Sequence, residues 1–386
     1  MSPTIDRISS LPDEILCHIL SSLPTKLAFS TIILSKRWAP LYKLLTSIHL
    51  EDESVSDEDS FLRFCSIVDT VTLSTRLIKT FRLKCHSIHW RDDRFNVDSW
   101  METVKQHPVE NLYISTTLAI SLEIFLPQSI FIFPTLVFLK LDRVKVAGNI
   151  SVDLPSLKTL HLLQFYLKNH QNFIKLLNGC PIIEDLIVHV FYIDNDSIAD
   201  RVRTKEFKTL SKLIRADIHE CDVPISAIDN VKNLKLGMWG RHSEPETNSY
   251  FRGFLVCQNL IQLELCFHRF HHWDNVVEVL QNCPKLQILS FEKWPYSCYN
   301  KDDLNITWKD PTFVPECISS RLKSCIIDYK GKVDELQFAS YILQNAQVLE
   351  VMKIMTRKYG ALKNREALDQ LTFCPRISPY CKLSIF

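Results

Sequence analysis

One short pattern recurs along this chain and limits its fold more than any other feature. An apolar residue is followed by two variable residues, a second apolar residue, one variable residue and a third apolar residue. Clear copies are Leu136/Leu139/Leu141, Leu157/Leu160/Leu162, Ile183/Leu186/Val188, Val231/Leu234/Leu236, Leu260/Leu263/Leu265 and Leu286/Leu289/Phe291. Weaker copies are Ile78/Phe81/Leu83, Val109/Leu112/Ile114, Leu213/Ala216/Ile218, Leu322/Cys325/Ile327 and Leu349/Met352/Ile354. The last three residues of each copy alternate in, out, in, which predicts a short strand with one buried face. A unit this small cannot bury its apolar face alone, so neighbouring copies must stack.

From Leu83 to Ile354 the mean spacing is about 27 residues, with single steps from 18 to 36. That mean lies within the roughly 20–29 residue period of leucine-rich repeats. Helix-like stretches lead into several strands. Phe173-Ile174-Lys175-Leu176-Leu177-Asn178-Gly179-Cys180-Pro181 is matched by Val276-Val277-Glu278-Val279-Leu280-Gln281-Asn282-Cys283-Pro284, and Leu343-Gln344-Asn345-Ala346-Gln347 repeats the end of that unit. Gly or Asn ends each helix, and in the first two units Pro181 and Pro284 block its continuation. The expected fold class is therefore α/β, a solenoid with parallel strands on its concave face and helices outside. A compact α/β sandwich is the alternative. The absence of the consensus Asn after each strand marks the repeats as irregular.

Composition narrows the chemistry. Seven glycines in 386 residues never fall as GxG or GxxxxGK[ST], the clustering that phosphate-cradling loops require. A net charge of +1 argues against a strong nucleic-acid binder, and Lys205 to Lys212 lacks the density of a basic patch. Thirteen cysteines without a CxxC pair, and an N-terminus without a signal-peptide pattern, read as a reduced intracellular chain. The most apolar segment, Ile124 to Leu141, is broken by Pro127, Gln128 and Pro134, too interrupted for a bilayer span. No GxSxG, HExxH or cysteine-nucleophile context occurs. His268-Arg269-Phe270-His271-His272 with Cys266 is the best metal-like cluster, but it lacks a characteristic ligand spacing. No catalytic residue, metal or cofactor is expected.

Residues 6–48 do not fit the repeat. They read as three short helices: Leu11 to Leu20, Pro24 to Leu34, and Ser35 to about Leu45. Pro12 and Pro24 suit helix starts, Asp13 and Glu14 suit the positive end of a helix dipole, and Ile15, Leu16, Ile19, Leu20 and Leu23 form an apolar stripe. Pro40 should kink the third helix or delay its start. Glu51 to Asp59 carries six acids in nine residues and reads as a solvated linker. Phe61, Phe64, Cys65 and Val68 then predict a helix over the first repeat.

Three stretches carry a family resemblance: Ile8-Ser9-Ser10-Leu11-Pro12-Asp13-Glu14-Ile15-Leu16, Leu23-Pro24-Thr25-Lys26 and Leu34-Ser35-Lys36-Arg37-Trp38. They resemble the F-box of plant F-box/leucine-rich-repeat proteins. The tail resembles that family's FBD region in Cys317 to Leu322, Glu335 to Ala346 and Val348-Leu349-Glu350. The organisation expected is an F-box over 1–50, an acidic linker over 51–60, irregular repeats over 61–310 and an FBD region over 311–386. The resemblance implies a non-catalytic, target-recognition subunit of a ubiquitin ligase. A Skp-family adaptor would bind Leu11, Pro12, Ile15, Leu16, Ile19, Leu20 and Trp38, and through it a cullin scaffold. The work would take place in the nucleus or cytoplasm, with neither nucleic acid nor membrane as a partner.

In each strand the residue between the last two apolar positions should point away from the core. These residues are Arg82, Tyr113, Lys140, His161, Ile187, Asp217, Lys235, Glu264, Ser290, Ile326 and Lys353. Both charge signs mixed with apolar residues suit a protein target, and Arg82, Tyr113, Lys140, His161, Asp217, Lys235 and Glu264 are the candidate contacts. Two other readings stay open: a small-molecule co-receptor of the plant hormone-receptor type, and an interaction scaffold outside any ligase, for which Pro40 is the reason.

Overall fold

A computed structural model describes residues 8, 10–38, 40–86, 97–117, 124–194, 207–219, 223–238, 257–267, 273–292, 308–329, 333–356 and 365–386. The chain forms two compact units, one of Met1–Ile183 with His189–Asn195, the other of Glu184–Val188 with Asp196–Phe386.

The first unit opens with α1 (Asp13–Ser21) and α2 (Thr25–Ser30). Pro12 and Pro24 are their N-caps, and Asp13 and Glu14 lie in the first turn of α1, where their charge meets the helix dipole. The expected third helix is reduced to a turn followed by a 3-10 segment, Leu41–Leu44, that begins at Pro40. The proline ring excludes a continuous α-helix through this position. Leu16, Leu20, Ala28, Leu41 and Leu45 are buried and hold the short helices together.

Strand β1 (Ser47–Glu51) follows at once. It begins a parallel ladder with β2 (Thr80–Cys85), β3 (Asn111–Thr116), β5 (Phe138–Asp142) and β7 (Thr159–Leu167). The short strands β4 (Ile124–Phe125) and β6 (Val144–Val146) pair beside β7. Ile48, Phe81, Leu112, Leu139 and Leu160 stand in one register row, and Leu50, Leu83, Ile114, Leu141 and Leu162 in the next. All ten are at most 3% exposed.

Parallel strands need long crossovers, and three of them contain the helices α3 (Glu58–Ser74), α4 (Val97–Lys105) and α5 (His170–Asn178). The segment 51–60, expected as a solvated linker, is built into the fold. Glu51 ends β1, Asp52 is buried and accepts the His86 backbone N–H, and Asp57 caps α3 in a reciprocal box with Ser60. Helix capping needs an acceptor at the N-terminus, so part of this acidic run is structural.

Strand β8 (Asp185–Tyr192) begins the second unit's ladder through residues 185–188. The ladder continues in parallel through β9 (Arg215–His219), β10 (Asn233–Met238), β11 (Gln262–Phe267) and β12 (Ile288–Glu292). It ends with β13 (Ser324–Tyr329), β14 (Val351–Thr356) and β15 (Lys382–Ile385). Leu186, Ala216, Leu234, Leu263, Leu289, Cys325 and Met352 form a buried row. Helices α6 (Trp273–Gln281), α7 (Glu316–Ser320), α8 (Val333–Asn345) and α9 (Arg365–Thr372) lie between strands. Neither ladder closes into a barrel.

Parallel sheets are usually covered on both faces. Here buried and half-buried residues alternate along the strands, so one face of each ladder carries the core and the other reaches solvent. Most of the cysteines among the described residues are buried and pack as small apolar groups. Burial pushes the thiols of Cys65, Cys180, Cys317 and Cys325 up to about 12.

Candidate functional site

The structure divides the seven N-terminal candidates. Pro12, Ile15 and Ile19 are exposed, the last two by 46% and 42%, and Leu11 is half-buried. Leu16, Leu20 and Trp38 are buried, so these three hold the module together and offer little surface to a partner. Ile15 and Ile19 lie one turn apart on α1 and share a face. Ile33 and Leu34, which the helical stripe did not single out, are exposed by 87% and 64%. Their signal was positional: they immediately precede Ser35-Lys36-Arg37-Trp38. The Arg37 guanidinium donates to Asp13 Oδ1 from Nε at 2.9 Å and from Nη2 at 2.6 Å, tying that turn to the start of α1.

The strand-centre residues stand where the repeat pattern puts them. In the first unit His49, Arg82, Tyr113, Lys140 and His161 are register neighbours. Arg82 is exposed and the others are half-buried. The Tyr113 ring stacks on Phe138 at 4.7 Å between centroids, and Phe138 meets His161 edge-on at 5.3 Å. The Arg82 guanidinium lies 6.0 Å from the Tyr113 ring centre, within cation–π reach. Burial, and then the nearby Arg82 charge, pushes the His49 imidazole below its ordinary value.

In the second unit Ile187, Asp217, Lys235, Glu264, Ser290, Ile326 and Lys353 form the corresponding row, all half-buried. The Lys235 ammonium bonds to both Glu264 and Glu292. Burial alone would lower the Lys235 pKa, but these two hydrogen bonds outweigh it and raise it. Burial first, and then a hydrogen bond to Glu292, raises the Glu264 carboxyl. Asp217 Oδ1 lies 2.9 Å from Nε2 of the buried His219. The row therefore presents mixed charge and little apolar surface.

The metal-like cluster at 268–272 lies outside the described residues, as do Lys205 and Glu206 of the basic stretch. Lys208 and Lys212 are exposed. Among the described residues no helix is long and apolar enough to cross a membrane.

Comparison with known proteins agrees with this arrangement at both ends. An F-box domain model matches residues 8–41 and an FBD model matches residues 310–354. An F-box/FBD/LRR-repeat protein of Arabidopsis thaliana is 28% identical over 95% of this chain and 89% of its own length. An FBD-associated F-box protein of the same plant is 29% identical over 98% of this chain and all of its own length. A second F-box/FBD/LRR-repeat protein from it is 28% identical over 98% of this chain and 96% of its own. With an F-box match before the parallel-strand ladders and an FBD match in their last repeats, the chain is similar over nearly its whole length to plant F-box/FBD/leucine-rich-repeat proteins, and the F-box match supports a ubiquitin-ligase F-box protein in general.

Proposed function

We propose that the chain is the target-recognition subunit of a Skp–cullin–F-box ubiquitin ligase, working in the nucleus or cytoplasm. It has no chemistry of its own. The F-box holds a Skp-family adaptor, and through it a cullin scaffold. The strand faces hold a target protein. Tethering raises the effective concentration of target lysines at the conjugating enzyme, so positioning alone accelerates transfer.

The observation that supports this reading most is the division of α1. Leu16 and Leu20 are buried while Ile15 and Ile19, inside the matched F-box segment, face outward. Apolar side chains at helical spacing, left outside a folded module, suit a partner's groove. The test is a pull-down of the purified chain with Skp-family adaptors. Ile15→Asp with Ile19→Asp should abolish capture and leave the melting temperature within a degree or two. Undiminished capture by that double variant would sink the assignment. Leu20→Asp is unsuitable here, because Leu20 is buried and its loss would unfold the module.

A further inference from the structure

We propose that the strand face of the first unit docks an acidic segment of the target, a run of aspartate or glutamate side chains with an aromatic residue within it. This rests on the reading of the strand faces as target surface and adds the chemistry of what they hold.

The argument starts from charge. The central row of the face, His49, Arg82, Tyr113, Lys140 and His161, contains no carboxylate. Two carboxylates, Glu51 and Asp142, stand two residues further along the strands on the same face, and both have cations beside them. Glu51 Oε1 lies 2.6 Å from Lys84 Nζ and 2.9 Å from His86 Nε2, and Asp142 Oδ1 lies 3.9 Å from Arg143 Nε. Among the described residues neither Arg82 nor Lys140 has a carboxylate within 4.0 Å. Among the described residues, then, the face has two cations without a close carboxylate partner, although the Lys140 charge also acts on Asp142 at longer range.

Shape agrees with charge. Arg82 and Lys84 line an open hollow of about 540 Å³, together with His49 and Glu51 of β1 and Lys26 of α2. The hollow also holds Glu53, so its charge is mixed and only modestly positive. That balance fits a carboxylate better than a dianion. Beside it the half-buried Tyr113, Phe138 and His161 rings form a ladder that can take an aromatic side chain. Guanidinium–carboxylate pairing is bidentate and directional, so Arg82 would fix the register of the bound segment.

The test measures fluorescence anisotropy of the intact chain with three labelled peptides: a glutamate-rich peptide with a central tryptophan, its lysine counterpart, and a neutral serine peptide bearing one phosphoserine. Arg82→Glu with Lys140→Glu should weaken the glutamate peptide at least about tenfold, a 1.4 kcal/mol difference. Raised salt should weaken it as well. Arg82→Gln with Lys140→Gln should give a smaller loss, and Lys175→Glu, exposed on α5, none. Melting curves establish that each variant is folded. Equal binding of the lysine peptide, tight binding of the phosphoserine peptide alone, no binding of any peptide, or full binding by the Arg82/Lys140 variants would overturn the proposal. Adaptor capture is scored separately, so loss of the ligase reading and loss of this one are distinguishable.

Discussion

Trp273 donates its indole N–H to Asp334 Oδ2 at 2.8 Å, joining α6 to α8 where both residues are less than a tenth exposed. The same indole stacks on Phe338 at 4.5 Å. A buried carboxylate stripped of a donor carries its desolvation cost unrelieved. Trp273→Phe should therefore destabilise the second unit by about 1–3 kcal/mol, although most of the ring is kept. Trp273→Ala adds a cavity and should cost about 3–5 kcal/mol. Urea midpoints at unchanged m-value measure both. A Phe variant as stable as the parent would show that this hydrogen bond carries little.

Leu20 and Ile19 are neighbours in sequence and opposites in structure, 0% and 42% exposed. Leu20→Ala should lower stability by about 2–5 kcal/mol, because the cavity cannot fully collapse. Ile19→Ala should stay within about 0.5 kcal/mol of the parent. The order of adaptor affinities should differ from the order of stabilities, since Ile19 faces outward. Thermal melts with adaptor titrations of the two variants separate the effects.

The repeat was legible because its signal is redundant: every one of the eleven copies read from the sequence is a strand in the structure. The outward row was legible with it, because a strand's period of two leaves one choice once the buried positions are known. The two end strands show where pattern reading runs out. Leu45/Ile48/Leu50 and Tyr380/Leu383/Ile385 both fit the pattern as β1 and β15 do. In isolation, though, a three-then-two spacing is too short to tell a strand from a helix end. Strands β4 and β6, of two and three residues, carry no period at all. At the F-box the sequence marked the apolar stripe but not its sides. Leu16 and Ile15 are equally apolar, and only packing decides which of them the module consumes.

Glu51 ties the acid limit of the first unit to the strand face. Its carboxyl is held below the ordinary value of 4.5 by a hydrogen bond from Lys84 and a second from His86. A carboxylate with a depressed folded pKa contributes its full stability above the unfolded value, and that contribution is lost as pH falls through the folded value. Glu51→Gln removes this dependence. The variant should melt earlier than the parent at neutral pH and converge with it below about pH 4.5. Both side chains of the Lys84 pair are partly solvated, which keeps the effect small. Melting temperatures that run parallel for both proteins from about pH 3 to 6 would show that the contact is electrostatically idle.

Lys235 occupies the opposite electrostatic situation, one ammonium between Glu264 and Glu292. Lys235→Met keeps much of the side chain's volume but leaves two carboxyl groups facing each other, with Asp217 one rung away. Like charges this close cannot both ionise cheaply, so at least one folded pKa rises. A carboxyl with a raised folded pKa favours the fold below its unfolded value, and that advantage is lost as pH climbs through the folded one. Lys235→Met should thus be close to the parent near pH 4 and weaker at pH 7, by about 1–3 kcal/mol. That is less than for a fully buried pair, because all three groups keep some water. Adding Glu264→Gln and Glu292→Gln should restore stability at pH 7 and flatten the profile. If the triple variant stays as weak as Lys235→Met at neutral pH, the lost term is packing of the lysine stem and not its charge.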